Sequence, residues 1–409
     1  MNKSNTFKSF IKSSAIFTGA SIFVNLLGYA FHILAGRYLG PANYSDITTI
    51  LAYATILSVP VMVASVVIIK RAGSHSDKPH YLLSLQSYFD ALSHSVPVLV
   101  AIYLALSGLG YLNHLSSSTI LLMPIFVITF VFAQLYAVLL QAGKLFSPLS
   151  LVITITGILK LAGALLTPFF PFATPILLLL IVSNLSQIWL SRRYLLSHFP
   201  VHAEIIKKSP FSLRDPSLRL IFVSILGLIL LNNLDIVLAK QFLTASEAGI
   251  YGVWSLFGKA ITFSFIPLSS VALVFFADKE SDHNPLHILY PSIIFLVICG
   301  TLAYFVFYLL SNFMVTTLMG AEFATLIPLL PRSAIFGTVY SLIYLINNYY
   351  LSQSSKLAYL PAAITLIILV VLLVMGTTLS NFTSLITLTG GLSLLIYPMA
   401  ILVRIVRSS

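Results

Sequence analysis

Apolar runs of about 20 residues recur along the whole chain, each long enough to cross the roughly 30 Å hydrocarbon core of a bilayer as a helix. Lipid offers no partner to a bare peptide group, so only helices and closed barrels span it. These runs are continuously apolar and do not alternate, which selects helices. Candidate spans fall at 15–36, 46–69, 82–107, 119–142, 149–168, 175–195, 218–240, 250–277, 286–311, 326–350, 358–379 and 383–405. Charged residues make up only 8% of the chain, against roughly a quarter in globular domains, and mean hydropathy is +1.01. The expectation is an all-α polytopic membrane protein of about 12 transmembrane helices.

Charge placement supports an even number of spans. With the N-terminus in the cytoplasm, 17 of the 22 basic residues fall on inner segments, and only Arg37 and Lys240 sit at outer ends. The net charge of +11 is thus a topology signal and gives no reason to expect nucleic acid. Lys3, Lys8 and Lys12 precede the run from Ala15 to Ala35, but no convincing small-residue cleavage site follows, so this run reads as an uncleaved first span. The lone Cys299 lies in an apolar run and supports no disulfide framework.

The longest inner loop, basic and holding Pro200, Pro210 and Pro216, divides the chain into six-span bundles at 1–196 and 218–409, joined by a linker at 197–217. Two halves of like orientation are commonly related by an axis along the membrane normal, with a ligand site at their junction. Tyr38-Leu39-Gly40-Pro41 after the first span faintly echoes Phe242-Leu243-Thr244-Ala245 after the seventh. The outer loops are short, with Glu247 and Glu322 as their acids, and no phosphate-binding loop, metal-ligand cluster or nucleophile elbow occurs. That pattern favours a transporter over an enzyme, with no cofactor or metal.

Five ionisable residues lie well inside spans: Asp90, Lys160, Asp235, Lys259 and Arg332. Such residues are functional candidates by default, because a charge in lipid must face protein or a watery cavity. Asp235, Lys259 and Arg332 have similar depths in three spans of the second half, which suggests a shared cavity. Arg332, Phe336, Tyr340, Tyr344 and Asn348 recur every four residues as a polar and aromatic stripe. Asn25 and His32 mark a face of the first span, and Asn232 lies one turn from Asp235. The competing reading for each isolated Asn or His is helix-to-helix hydrogen bonding, and for Asp235 with Lys259 a structural ion pair. Excess cations suit an anionic ligand such as a phosphate or pyrophosphate, with Lys160, Lys259 and Arg332 as the binding set. Asn25, His32, Asn232, Tyr340, Tyr344 and Asn348 would line a glycan space, and Asp235 and Asp90 are the ion-coupling candidates.

The sequence also resembles a known family. His32-Ile33-Leu34-Ala35-Gly36-Arg37-Tyr38-Leu39-Gly40-Pro41-Ala42-Asn43-Tyr44 is similar to the signature of Wzx-type polysaccharide-biosynthesis flippases, members of the multidrug/oligosaccharidyl-lipid/polysaccharide superfamily with its MATE-like fold. Asn233-Leu234-Asp235-Ile236-Val237-Leu238, then Glu247-Ala248-Gly249-Ile250-Tyr251 and Lys259, resemble that family's seventh and eighth spans. One departure is Ser45-Asp46, where the first block commonly carries a glycine. The resemblance implies two six-helix bundles around a central cavity, in the inner membrane with both termini cytoplasmic. It implies alternating-access translocation of polyprenyl-pyrophosphate-linked oligosaccharides for O-antigen, lipopolysaccharide or related surface polymers, with proton or sodium coupling. Expected partners are the lipid-linked oligosaccharide and downstream polymerase or chain-length machinery. A cation-coupled multidrug exporter of the same fold, or a membrane polymerase, are the alternatives.

Overall fold

The structure is a computed structural model that describes residues 3–74, 77–106, 115–170, 172–199, 216–277, 285–375 and 378–397. Most of the basic linker, with Lys207, Lys208 and Arg214, lies outside these residues, as do Lys279, Arg404 and Arg407. The described residues are almost wholly helical. The helices are α1 (Lys3–Leu57), α2 (Val59–Ser74), α3 (Lys78–Ser93), α4 (Val96–Leu106), α5 (Ser117–Ala142), α6 (Phe146–Leu165) and α7 (Ala173–His198). They continue with α8 (Pro216–Phe242), α9 (Ala245–Ala277), α10 (Leu286–Phe313), α11 (Leu330–Ser352), α12 (Leu360–Met375) and α13 (Leu379–Ser393). Nine of the helical stretches among the described residues are long and apolar enough to cross a membrane, and α1 holds parts of two expected spans in one of them.

Proline and glycine explain where helices differ from the expected spans. No loop separates the first two spans. The chain bends within α1 at Gly40, whose φ of 68° and ψ of 170° are open to glycine and which is followed by Pro41. The expected second span is interrupted at Ser58, just before Pro60 in the first turn of α2. The third is split at His94 and Ser95, with Pro97 opening α4. Before α11 the chain makes a π turn (Met314–Met319), a bend at Gly320 with φ 106°, and a 3-10 stretch (Ala321–Leu329) that carries Pro328.

Two compact units result. The first comprises Met1–Leu39 and Pro60–Ser212, the second Gly40–Val59 and Leu213–Ser409. Segment 40–59, which sequence reading placed with the first bundle, therefore packs inside the second unit. The first unit is cored by Phe89, Tyr136, Leu139, Leu140, Val152 and Leu195, where α5 and α7 pack together.

In the second unit α9 lies along α11 at very close range. A Cβ on Gly337 would meet the Gly258 carbonyl, so glycine is required for this approach. Thr262 donates to the Gly337 carbonyl at 3.1 Å, and the buried Trp254 indole donates to the Leu329 carbonyl at 2.9 Å. The 41–57 arm of α1 meets α9 in the same manner. A Cβ on Gly249 would strike the Pro41 carbonyl, and Gly252 faces Thr48. At the α8–α9 junction, Thr244 and Glu247 form a reciprocal cap. The Glu247 carboxylate accepts from the Thr244 N–H at 3.1 Å, and the Thr244 hydroxyl accepts from the Glu247 N–H at 3.3 Å. The two faintly similar sequences are thus both helix breaks, one made by glycine and proline and one by a capping box.

Candidate functional site

The polar residues of α8 meet one face of α9. Tyr251, Ser255 and Lys259 recur every four residues on α9 and so share that face. Asp235 accepts a hydrogen bond from Tyr251 at 2.7 Å and another from Ser255 at 3.3 Å, both on Oδ2. Its Oδ1 has no hydrogen-bond partner, although the residue is only 3% exposed. Lys259, equally sequestered, donates to Asn233 Oδ1 at 3.5 Å. Asn232 is buried with its carbonyl oxygen unpartnered. Asp235 and Lys259 do not form an ion pair, unlike Lys240–Asp46 and Arg192–Asp90. A void of about 10 Å³, roughly one water, is lined by Asp235 together with Leu234, Leu238, Thr365 and Ile368. The arrangement is a buried cluster of one carboxyl and one amine, with spare acceptor capacity on the carboxyl.

A second charged contact was not legible as such. Lys240, read as lying at an outer helix end, is buried. Its ammonium lies 2.7 Å from Asp46 Oδ1 and donates to the Ser45 hydroxyl at 2.6 Å. Ser45-Asp46, where the family signature commonly has glycine, is thus the receptor for a lysine 195 positions away.

Arg332 does not join Lys259. It lies five residues from Gly337, about 140° around α11 at 3.6 residues per turn. Its guanidinium donates to Ser384 of α13 at 2.8 Å, whereas Gly337 faces α9. Similar depth had suggested a common cavity, but depth fixes height along the normal and not direction around a helix. The four-residue stripe separates for the same reason, since each step overshoots a helical turn by about 40°. Phe336 packs against Trp254 of α9 with ring centroids 5.2 Å apart and the planes tilted by 33°. Tyr340 donates to the Leu228 carbonyl of α8 at 3.0 Å, and Asn348 donates to the Ser269 carbonyl of α9 at 3.4 Å. Tyr344 is half-buried on the turn between them. These contacts hold helices together, which for Asn348 was the competing reading.

In the first unit, Lys160 is half-buried on α6, and its side chain makes no hydrogen bond or ion pair among the described residues. Asp90 is engaged: Arg192 lies 3.1 Å away and the Tyr136 hydroxyl donates to its other oxygen. Asn25 is exposed on α1 close to Gly28, around which space is open. His32 is half-buried, with its ring against Phe31. Gln187 donates to the Ala133 carbonyl and Asn184 to Thr129, both between α7 and α5. Among the described residues, no three His, Cys, Asp or Glu side chains gather as a metal site.

No family model and no curated protein sequence matches the chain. Solved structures do match. The lipid II flippase MurJ in an inward closed conformation aligns over 95% of this chain and 87% of its own, at 14% identity and a TM-score of 0.69. The eukaryotic MATE transporter AtDTX14 aligns over 96% of both chains at 11% identity and a TM-score of 0.63. An inward-facing multidrug resistance MATE transporter aligns over 91% of this chain and 92% of its own, at 13% identity and a TM-score of 0.62. At these identities the likeness establishes architecture, and the chain is an all-α, multi-pass membrane protein with the fold shared by MurJ and the MATE transporters.

Proposed function

We propose that the protein translocates polyprenyl-pyrophosphate-linked oligosaccharides across the cytoplasmic membrane for surface polysaccharide synthesis, by alternating access. The observation that carries this reading is the state of two intramembrane lysines. Neither Lys160 nor Lys259 has a carboxylate within ion-pair distance among the described residues. A lysine held at membrane depth without a counter-ion favours an anionic ligand, and pyrophosphate is the anionic part of such a lipid. An exporter of organic cations is better served by carboxylates. Asn25 and His32 on α1 and Asn232 on α8 are the candidates to meet sugar. Asp235, with its unpartnered oxygen, is the candidate for proton or sodium coupling. No covalent step is required, because transport needs only differential affinity for two conformations. With the basic loops inside, both termini are cytoplasmic. Delivery to a polymerase and its chain-length machinery would follow.

The test is movement of a labelled polyprenyl-pyrophosphate oligosaccharide in proteoliposomes, with and without a proton gradient. Wild type should translocate it, and Lys259→Ala and Lys160→Ala should lose translocation at near-wild-type abundance of folded protein. Asp235→Asn should lose the response to the gradient. Gradient-driven efflux of an organic cation, with no movement of the lipid, would instead assign the chain to multidrug export.

A further inference from the structure

Three cations gather on the first unit, on the side that carries the basic loops. Arg71 is in the last turn of α2, Lys78 opens α3, and Lys144 lies in the turn from α5 to α6. One apolar cluster holds their neighbours together: Ala72, Tyr81, Leu82 and Ala142 are buried in it, and Leu145 packs against it. Arg71 lies beside Tyr81. Burial, and after it the nearby charge of Lys144, holds the Lys78 ammonium below its ordinary pKa. Neither lysine takes part in the ion pairs Arg192–Asp90 and Lys240–Asp46. Asp77 is the acid next to Lys78, and its carboxylate caps α3 by accepting from the His80 N–H at 3.1 Å.

Both lysines stand where stability disfavours them. Lys144 ends α5 at a φ of 61°, a left-handed position that helices usually give to glycine, and the Leu145 N–H returns to the Leu140 carbonyl at 2.9 Å. Lys78 is the first residue of α3, where the helix dipole favours an acid over a cation. The two ammonium groups also repel each other. Topology asks for basic residues in these loops, but not for two of them within reach of each other's charge. A bound anion would offset all three costs.

We infer that Arg71, Lys78 and Lys144 form a binding site for a pyrophosphate group at the cytoplasmic face of the first unit. Three cations against Asp77 leave two positive charges. A pyrophosphate diester brings about two negative charges, whereas a phosphodiester brings about one. The guanidinium offers a fork of donors and the ammonium groups act as point charges. The site is separate from Lys160 and Lys259, and it receives the transported lipid before its pyrophosphate reaches membrane depth. That last step rests on the transport reading, whereas the charge match does not.

Residue-resolved acetylation of the purified full chain in detergent micelles tests it, because an anion on the site raises the lysine pKa and slows the reaction. The probes are farnesyl-pyrophosphoryl-N-acetylglucosamine, its monophosphate counterpart, inorganic pyrophosphate and phosphatidylglycerol. The first should protect Lys78 and Lys144 at concentrations about tenfold below the monophosphate and phosphatidylglycerol. Protection by inorganic pyrophosphate supports the site as well: at equal concentration the group itself suffices, and at higher concentration the lipid is its carrier. Lys144→Gly should lose the protection of Lys78 yet unfold no more readily than wild type, because glycine accepts the positive φ. Arg71→Gln should weaken protection with both lysines in place. No protection in wild type, equal protection by phosphatidylglycerol, or Lys78 still protected in Lys144→Gly would each overturn the assignment. The wild-type measurement needs no variant to fold and reads these two lysines directly, so a failed transport assay leaves the site standing.

Discussion

Replacing Lys240 by alanine should destabilise the protein more than any loss of a surface charge. At 2.7 Å from Asp46, the ammonium attracts the carboxylate by about 6 kcal/mol at an effective dielectric constant of about 20. Withdrawing each ion from water opposes this by several kcal/mol, so the pair as a whole stabilises little. Removing one member is different. Lys240→Ala takes the ammonium away from Asp46, 5% exposed, and that costs about 3–5 kcal/mol. The double variant Lys240→Met with Asp46→Leu removes both charges at similar volume and should return to within about 1 kcal/mol of wild type. The assay is equilibrium unfolding by SDS in mixed micelles, followed by the fluorescence of buried Trp254. Trp189, 59% exposed, is replaced by Phe in all variants. A loss under about 1 kcal/mol in Lys240→Ala, or a double variant as unstable as the single one, would refute the reasoning. Either result would mean that segment 40–59 is not fastened to α8 by charge.

Two further outcomes follow from geometry and can be read by the same unfolding. Gly337→Ala forces a methyl into the Gly258 carbonyl and should cost about 1–3 kcal/mol, while Ser341→Ala one turn away on α11 costs less; equal effects would deny the close α9–α11 approach. At Asp90, Arg192→Ala should cost under about 1 kcal/mol because the arginine side chain is 52% exposed. Tyr136→Phe, which removes a hydrogen bond to the carboxylate, should cost about 1.5–3 kcal/mol; the reverse order would make the ion pair the main support of Asp90.

Composition and run length were enough to read the architecture, because lipid leaves the backbone few options. Helix breaks were less legible. Gly40-Pro41 turns the chain with a single residue at positive φ, so what looked like two spans and a loop is one bent helix. Periodicity located part of the polar cluster: Tyr251, Ser255 and Lys259 stand at four-residue spacing, and that spacing could have nominated Tyr251 and Ser255 as partners of Asp235. The same periodicity misled for Arg332 to Asn348, because over sixteen residues a four-residue repeat winds about 160° around the helix. Lys240 with Asp46 carried no local signal, since its partner is set by tertiary packing alone.

The two acidic residues that α8 engages show why burial by itself does not mark a site. Asp46 is closed: its carboxylate takes the Lys240 ammonium, beside a serine that accepts from the same lysine. That is the composition of a fastening. Asp235 is just as buried, yet it forms no ion pair with Lys259, one of its oxygens has no hydrogen-bond partner, and the residue lines a water-sized void. A fold that needed only stability would do better with an apolar side chain there, since two hydroxyl donors offset only part of the cost of burying a carboxylate. The proposed coupling role would give this carboxylate something to bind and release. This is also why Asp235→Asn is the informative change: it removes charge while Tyr251 and Ser255 keep a hydrogen-bond acceptor. A lost gradient response in a folded protein would then report on ion binding and not on packing.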